Sequence, residues 1–194
     1  YKELPYDPDG FSPIGMVGVG PLVLLSSPKR PFNSTQDVVA YAKQNPGKLT
    51  FATFGPGTSS HLAGELFKER AGIDILHVPF KGATQALPAL ISGDVDLFFD
   101  MVATGMPQAD AGKVKVFAIT SPSRLATLPK LQTLAEEGYP AFDMTAWFSF
   151  VAPKGTPAPV LAKLQAALTE TLQDEAVKKL SLIHISEPTR RYAI

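Results

Sequence analysis

The amino-acid sequence predicts an α/β fold built from parallel βαβ units with helices covering the sheet faces, and three observations predict it. Six strand-like and six helix-like segments alternate almost strictly along the chain. The strand-like runs are short and apolar, as strands covered on both faces are. No repeat of 20 to 50 residues and no low-complexity linker interrupts the alternation. With 194 residues, 45% of them hydrophobic and 19% charged, the chain can bury one sizeable core or two small lobes.

After a turn-rich opening, IGMVGVGPLVLLSS (14–27) is apolar on both sides of Gly20-Pro21 and predicts a long strand with a bend. Ser34 with Asp37 three positions on is a capping-box start for TQDVVAYAKQ, which Pro46-Gly47 stops. LTFAT (49–53) is a short strand leading into FGPGTSSHLAGELF. The helix that follows the turn places Leu62, Leu66 and Phe67 on one face, with Lys68 and Arg70 near its end and Gly72 as its stop. IDILHVPF is a strand, ATQALPALI a short helix with Pro88 at an awkward place, and VDLFFDMV a strand. TGMPQADAGK, VKVFAIT, LQTLAEEG, FDMTAWFSFVAP and TPAPVLAKLQAALTETLQ continue the alternation of helix and strand.

Charge and composition exclude several functions. Lys plus Arg and Asp plus Glu both number 18, so there is no basic field to draw nucleic acid or an acidic membrane. With no cysteine there is no disulfide, thiolate nucleophile or cysteine zinc site. No segment approaches the ~20 apolar residues of a membrane-crossing helix. YKELPYDPDG has neither the start nor the apolar run of a signal peptide, and the expectation is that the true N-terminus is missing. At the other end, SLIHISEPTRRYAI (181–194) matches nothing before it and is expected to be foreign or unstructured, so His184 carries no functional reading.

The chemistry-bearing stretch is FGPGTSSH. A strand, a Gly-rich turn and a helix N-terminus gather backbone N–H groups and the positive end of a helix dipole at one point, which favours an anion. Gly55 and Gly57 let the backbone approach closely, and Thr58, Ser59 and Ser60 add hydroxyl donors. One of them, Thr58 or Ser59, is needed as the helix cap, which leaves two for a ligand or for water. No Lys follows the glycines as in a P-loop, and GTSSH is not a hydrolase elbow. His61 reads as a packing residue of the first helical turn or as backing for a serine, and its pairing with His77 has no support in sequence. A metal site lacks a carboxylate partner motif. Lys81 is either a cation for an anionic ligand or a solvated turn residue. Asp100, ending an otherwise buried strand, is either a cap for the next helix or a pocket group. Trp147 either walls a cleft or fills the core, with core the plainer reading.

The order FATFGPGTSSHLAGELF, ILHVPFKG, LISGDVDLFFD, AGKVKVFAITS and LPKLQTLAEEGYPAFDMTAWFSFVAPKGTPAPV resembles the solute-binding proteins of tripartite tricarboxylate transporters, the Bug family of periplasmic receptors, over residues 3 to 180. The resemblance implies a periplasmic-binding-protein-like (type II) fold of two lobes, one nearly complete here and the other partial. Residues 1–21 would be a first-lobe remnant and crossing strand, 22–145 the second lobe, 146–180 the return strand and first-lobe helix, and 181–194 a non-native tail. It implies a receptor, not an enzyme, that holds a carboxylate-containing metabolite and delivers it to membrane transporter subunits. The implied setting is the periplasm, with the receptor a monomer that needs neither cofactor nor nucleic acid. The ligand-contacting residues implied are Thr53, Gly57, Thr58, Ser59, Ser60 and Asp100, with His61, Lys81 and Trp147 as further candidates. The competing expectation is an α/β enzyme holding a phosphate or carboxylate at Gly57 to Ser60, with His61 or Asp100 as base.

Overall fold

The computed structural model describes residues 4–180; the expectation for 181–194 lies outside the described residues. The chain divides into two compact units, one formed by Pro21–Ala146 and the other by the segments before and after it.

Within Pro21–Ala146 the strands are the second part of β1 (Phe11–Ser26), β2 (Thr50–Thr53), β3 (Leu76–Pro79), β4 (Leu97–Met101) and β5 (Lys115–Ile119), in the order β3-β2-β4-β1-β5. β2 runs parallel to β3 and β4, whereas β1 is antiparallel to both β4 and β5. The α/β class therefore holds, but the sheet is mixed rather than wholly parallel. The antiparallel strand is the long one, and its Leu22 to Ser26 lie opposite Met101 to Leu97.

Alternation along the strands explains both faces. Leu22 and Leu24 of β1, Phe51 of β2, and Leu97 and Phe99 of β4 point into one core with Val38, Ala42, Ala63 and Phe67. Val23, Leu25, Ala52 and Phe98 point the other way, onto Ala86 and Leu90. Each face is covered by helices: α1 (Thr35–Gln44) and α2 (Ser59–Ala71) on the first, α3 (Ala83–Ser92) and α4 (Val102–Asp110) on the second.

Helix α1 starts where its capping residues say, with the Ser34 hydroxyl accepting from the Asp37 N–H. Helix α2 ends on Gly72, whose φ of 61° is the left-handed stop. Its buried face differs from the one expected: Ser60, Ala63, Gly64, Phe67 and Ala71 are buried, whereas Leu62 is 49% exposed. Small side chains bring this helix down onto β2, and the larger leucines are left at the rim. Pro88 sits well inside α3, past its first turn. The carbonyl it leaves without a helical partner belongs to exposed Thr84, where solvent can take the bond.

LQTLAEEG is not a helix. Thr133 and Glu136 do form a reciprocal capping box, each side chain accepting from the other's N–H at 3.0 and 2.8 Å, but Gly138 with φ 100° ends the turn at once. The segment instead extends the β5 edge, with Leu134 N–H bonded to the Ile119 carbonyl and a parallel bridge between Ile119 and Thr133.

In the other unit, β6 (Thr145–Pro153) pairs with β1, and Lys154 donates its N–H to the Gly10 carbonyl. There follow α5 (Ala158–Gln173), entered through Pro157, and α6 (Glu175–Leu180). None of the α5 residues is buried, and Phe148, Phe150, Val151, Val160 and Leu164 are exposed.

Candidate functional site

Because β3, β2 and β4 are adjacent and parallel, their carboxyl ends share one edge of the sheet. Three helices begin there: α2 after the Gly55-Pro56-Gly57 turn, α3 after Lys81-Gly82, and α4 directly on Met101. In open α/β sheets this edge is where ligands bind. The loops are neighbours, since Phe80 N–H donates to the Thr53 carbonyl and Gly55 lies against the Phe80 carbonyl.

The electrostatics of this edge are one-sided. None of α2, α3 and α4 has an acidic residue in its first turn, and neither α3 nor α4 has a side-chain cap. Helix α1 begins instead after the antiparallel β1, and it carries Asp37 in its first turn. Three helix ends with no acid in their first turns favour an anion, although at α4 the buried Asp100 carboxyl already accepts the Met101 N–H.

The three consecutive hydroxyls turn out to have three different roles. Thr58 is the cap: its Oγ1 accepts from His61 N–H and donates to the Gly55 carbonyl at 2.8 Å. Ser60 is fully buried and donates to the Phe99 carbonyl of β4, tying helix to sheet. Ser59 is half-buried, and among the described residues its hydroxyl has no hydrogen-bond partner.

The glycine N–H groups are not free, as the sequence suggested, because the fold already bonds them. Gly57 N–H donates to His61 Nδ1 at 3.0 Å and Gly55 N–H to Thr53 Oγ1 at 3.1 Å. Thr53 is fully buried and its hydroxyl also meets His77 Nε2 at 2.7 Å. The imidazoles of His61 and His77 stack at 4.0 Å between centroids and 17° between planes, with Phe51 against the other face of His77. Burial, followed by the proximity of His61, holds the His77 pKa below its usual value. Sequence reasoning had no support for this pairing; the register that sets His77 beside Phe51, one strand from the α2 N-terminus, creates it.

Asp100 is fully buried. Its Oδ1 accepts from Met101 N–H and Thr104 Oγ1, both at 2.8 Å, while Oδ2 has no partner among the described residues. Burial pushes its pKa up to about 6 against the pull of those two bonds. Lys81 is exposed, its ammonium without an ion pair among the described residues. Trp147 belongs to the other unit and is 66% exposed, so it does not fill a core. Among the described residues no serine or threonine of the loop is bonded to a histidine or carboxylate in the way an activated nucleophile is, and Thr53 faces the ring only from within the core. A depression of about 600 Å³ along α2 is lined by Leu62, Leu66, Ile73 and Met144 together with Glu65, Glu69 and Lys68, charges of both signs.

The sequence matches the family described as "Tripartite tricarboxylate transporter family receptor" over residues 1–187. The chain belongs to this family of transporter receptors. It is 38% identical to a UPF0065 protein of Bordetella pertussis, an alignment covering 86% of this chain and 52% of the relative. Among solved structures, R. palustris Rpa4515 with adipate superimposes at a TM-score of 0.88 with 31% identity, covering 93% of this chain and 60% of that one. MatC (Rpa3494) from Rhodopseudomonas palustris with bound malate gives 0.83 and 32%, covering 91% and 60%. The chain thus spans about half the length of the Bordetella relative and about 60% of the two structures. No helix among the described residues is long and apolar enough to cross a membrane.

Proposed function

We propose that this chain is part of a periplasmic receptor that captures a carboxylate-containing metabolite and delivers it to a tripartite tricarboxylate-type membrane transporter. The observation that carries this reading is the convergence of three helix N-termini, none with an acid in its first turn, on the carboxyl ends of three adjacent parallel strands. A ligand carboxylate supplies negative charge to the ends of α2 and α3, while Asp100 already stands at the end of α4. The Ser59 hydroxyl, with no partner among the described residues, donates to it, and Gly57 keeps the approach open. Lys81 adds a cation to the rim. Asp100 and Thr53 act from inside, holding Thr104 and the turn. The adipate and malate of the two structural relatives are dicarboxylates of the kind this edge suits.

Isothermal titration of the full chain with adipate and malate, beside the uncharged adipamide, tests the reading. Binding of a dicarboxylate, absent for adipamide and weakened by added salt, is the expected result. Equal binding of the charged and uncharged compounds would remove the helix ends from the explanation.

A further inference from the structure

In the Gly55-Pro56-Gly57 turn Pro56 restricts its own φ and Thr58 holds the Gly55 carbonyl, while the two glycine N–H groups depend on partners outside the turn. An imidazole stands in the path of each. His61 accepts the Gly57 N–H on Nδ1, which requires that nitrogen to be bare. The ring's other nitrogen faces Glu65 Oε1 at 3.8 Å. On the parallel path, buried Thr53 accepts the Gly55 N–H, and His77 Nε2 lies 2.7 Å from the same hydroxyl, where a bare nitrogen takes its proton. Protonating His77 would present a second donor to Thr53 and leave the buried hydroxyl proton with no acceptor. The two rings stack face to face, so a positive charge on one disfavours a charge on the other.

We infer that His61 and His77 are positioning residues, a neutral imidazole stack that latches the Gly55-Pro56-Gly57 turn in place and releases it when a proton enters. Every charged group facing the stack bears on this. Glu65, paired with Lys68 at 3.1 Å, favours a proton on His77, whereas burial, His61 and Lys68 disfavour it. The side chain of His61 is 24% exposed, so solvent protons reach it.

The consequence has an unexpected sign. Where the turn forms part of the anion site, which rests on the function proposed above, a proton added nearby should by charge alone tighten binding of a carboxylate. The latch predicts the opposite, because the proton dismantles the geometry of the loop.

The experiment is amide exchange followed by nuclear magnetic resonance on the uniformly ¹⁵N-labelled full chain, with Leu62 N–H, bonded to the Thr58 carbonyl, as internal reference. Between about pH 7.5 and pH 5, the span in which imidazoles titrate, protection of Gly57 relative to Leu62 should fall about tenfold or more. In His61→Asn the amide oxygen replaces Nδ1 as acceptor without titrating, so protection should hold across the range; in His61→Ala it should be low throughout. In parallel, adipate and malate should lose about tenfold in affinity on acidification of the unmodified chain and little in His61→Asn. Gly57 protection that ignores pH, or that falls equally in His61→Asn, overturns the latch. So does tighter adipate or malate binding at the lower pH. If neither compound binds at any pH while Gly57 is released as described, the latch stands and the carboxylate reading falls.

Discussion

Replacing Gly64 by alanine pits two rules against each other, and the structure says which wins. In an isolated helix, Gly→Ala stabilises by about 1 kcal/mol. At Gly64 of α2, however, an added Cβ would lie 2.1, 2.6 and 2.9 Å from three ring carbons of Phe51. The ring must retreat by roughly 1 Å or more to restore the ~3.5–4.0 Å of ordinary carbon contact. It has little room, because Phe51 is fully buried and its other neighbour is the His77 ring, 5.2 Å between centroids. Overpacking of this kind costs about 1–3 kcal/mol, occasionally more. Set against the propensity gain, Gly64→Ala should destabilise by about 1–2 kcal/mol, lowering the melting temperature by about 2–8 °C. Urea unfolding followed by far-ultraviolet circular dichroism is the assay, since the single tryptophan, Trp147, is exposed in the other unit and reports poorly on this one. A second change, Phe51→Leu, should cost less in the Gly64→Ala background than in the unmodified chain, giving a favourable coupling of about 1 kcal/mol. A Gly64→Ala chain as stable as the original would refute the close approach of α2 to β2, and with it the packing that sets the histidine stack.

Thr58→Ala removes the α2 cap and should cost about 1 kcal/mol of unfolding free energy, whereas Ser59→Ala should change it by less than about 0.5 kcal/mol while weakening adipate or malate binding; titration calorimetry and melting separate the two. Ser60→Ala should behave unlike Ser59→Ala, because it unpairs the Phe99 carbonyl in the core and costs about 1–3 kcal/mol. Asp100 has a folded pKa of about 6 against an ordinary 3.8, so the folded state binds more protons than the unfolded between those values and stability falls as pH rises through them. The difference in unfolding free energy between the unmodified chain and Asp100→Asn should therefore decline by about 3 kcal/mol from about pH 3 to about pH 7 and be flat beyond those limits. Asp96, 3% exposed, accepts from Thr50 N–H and Oγ1 and from Arg30; Asp96→Ala should cost about 2–3 kcal/mol, visible as a lower urea midpoint with an unchanged slope.

What could be read from sequence follows the range of the forces involved. The α1 cap at Ser34, the stop at Gly72 and the apolar strands were legible because each is decided within a few residues. Strand direction was not, because nothing local distinguishes the antiparallel β1 from its neighbours. LQTLAEEG misled because its capping box is real but Gly138 cuts the helix off after one turn. At the site, the anion-favouring turn and a capping role for Thr58 or Ser59 were readable. The acceptor for Ser60 was not, since the Phe99 carbonyl is 39 residues away. The same holds for the histidine stack, which exists only once β3 lies beside β2.

Sorting the three hydroxyls changes what kind of recognition this edge can perform. Had Thr58, Ser59 and Ser60 all faced a ligand, the loop could have read its hydrogen-bonding pattern and so its identity. With Thr58 on the Gly55 carbonyl and Ser60 on the Phe99 carbonyl, a single hydroxyl, three helix ends and the exposed Lys81 remain. Helix ends respond to charge and hardly at all to the shape of the group that carries it. Under the function proposed above, such an edge would accept a carboxylate terminus generically. Discrimination among carboxylates must then come from residues that reach the rest of the ligand, so exchanging Ser59 should alter affinity for adipate and malate by similar factors and leave their ratio nearly unchanged.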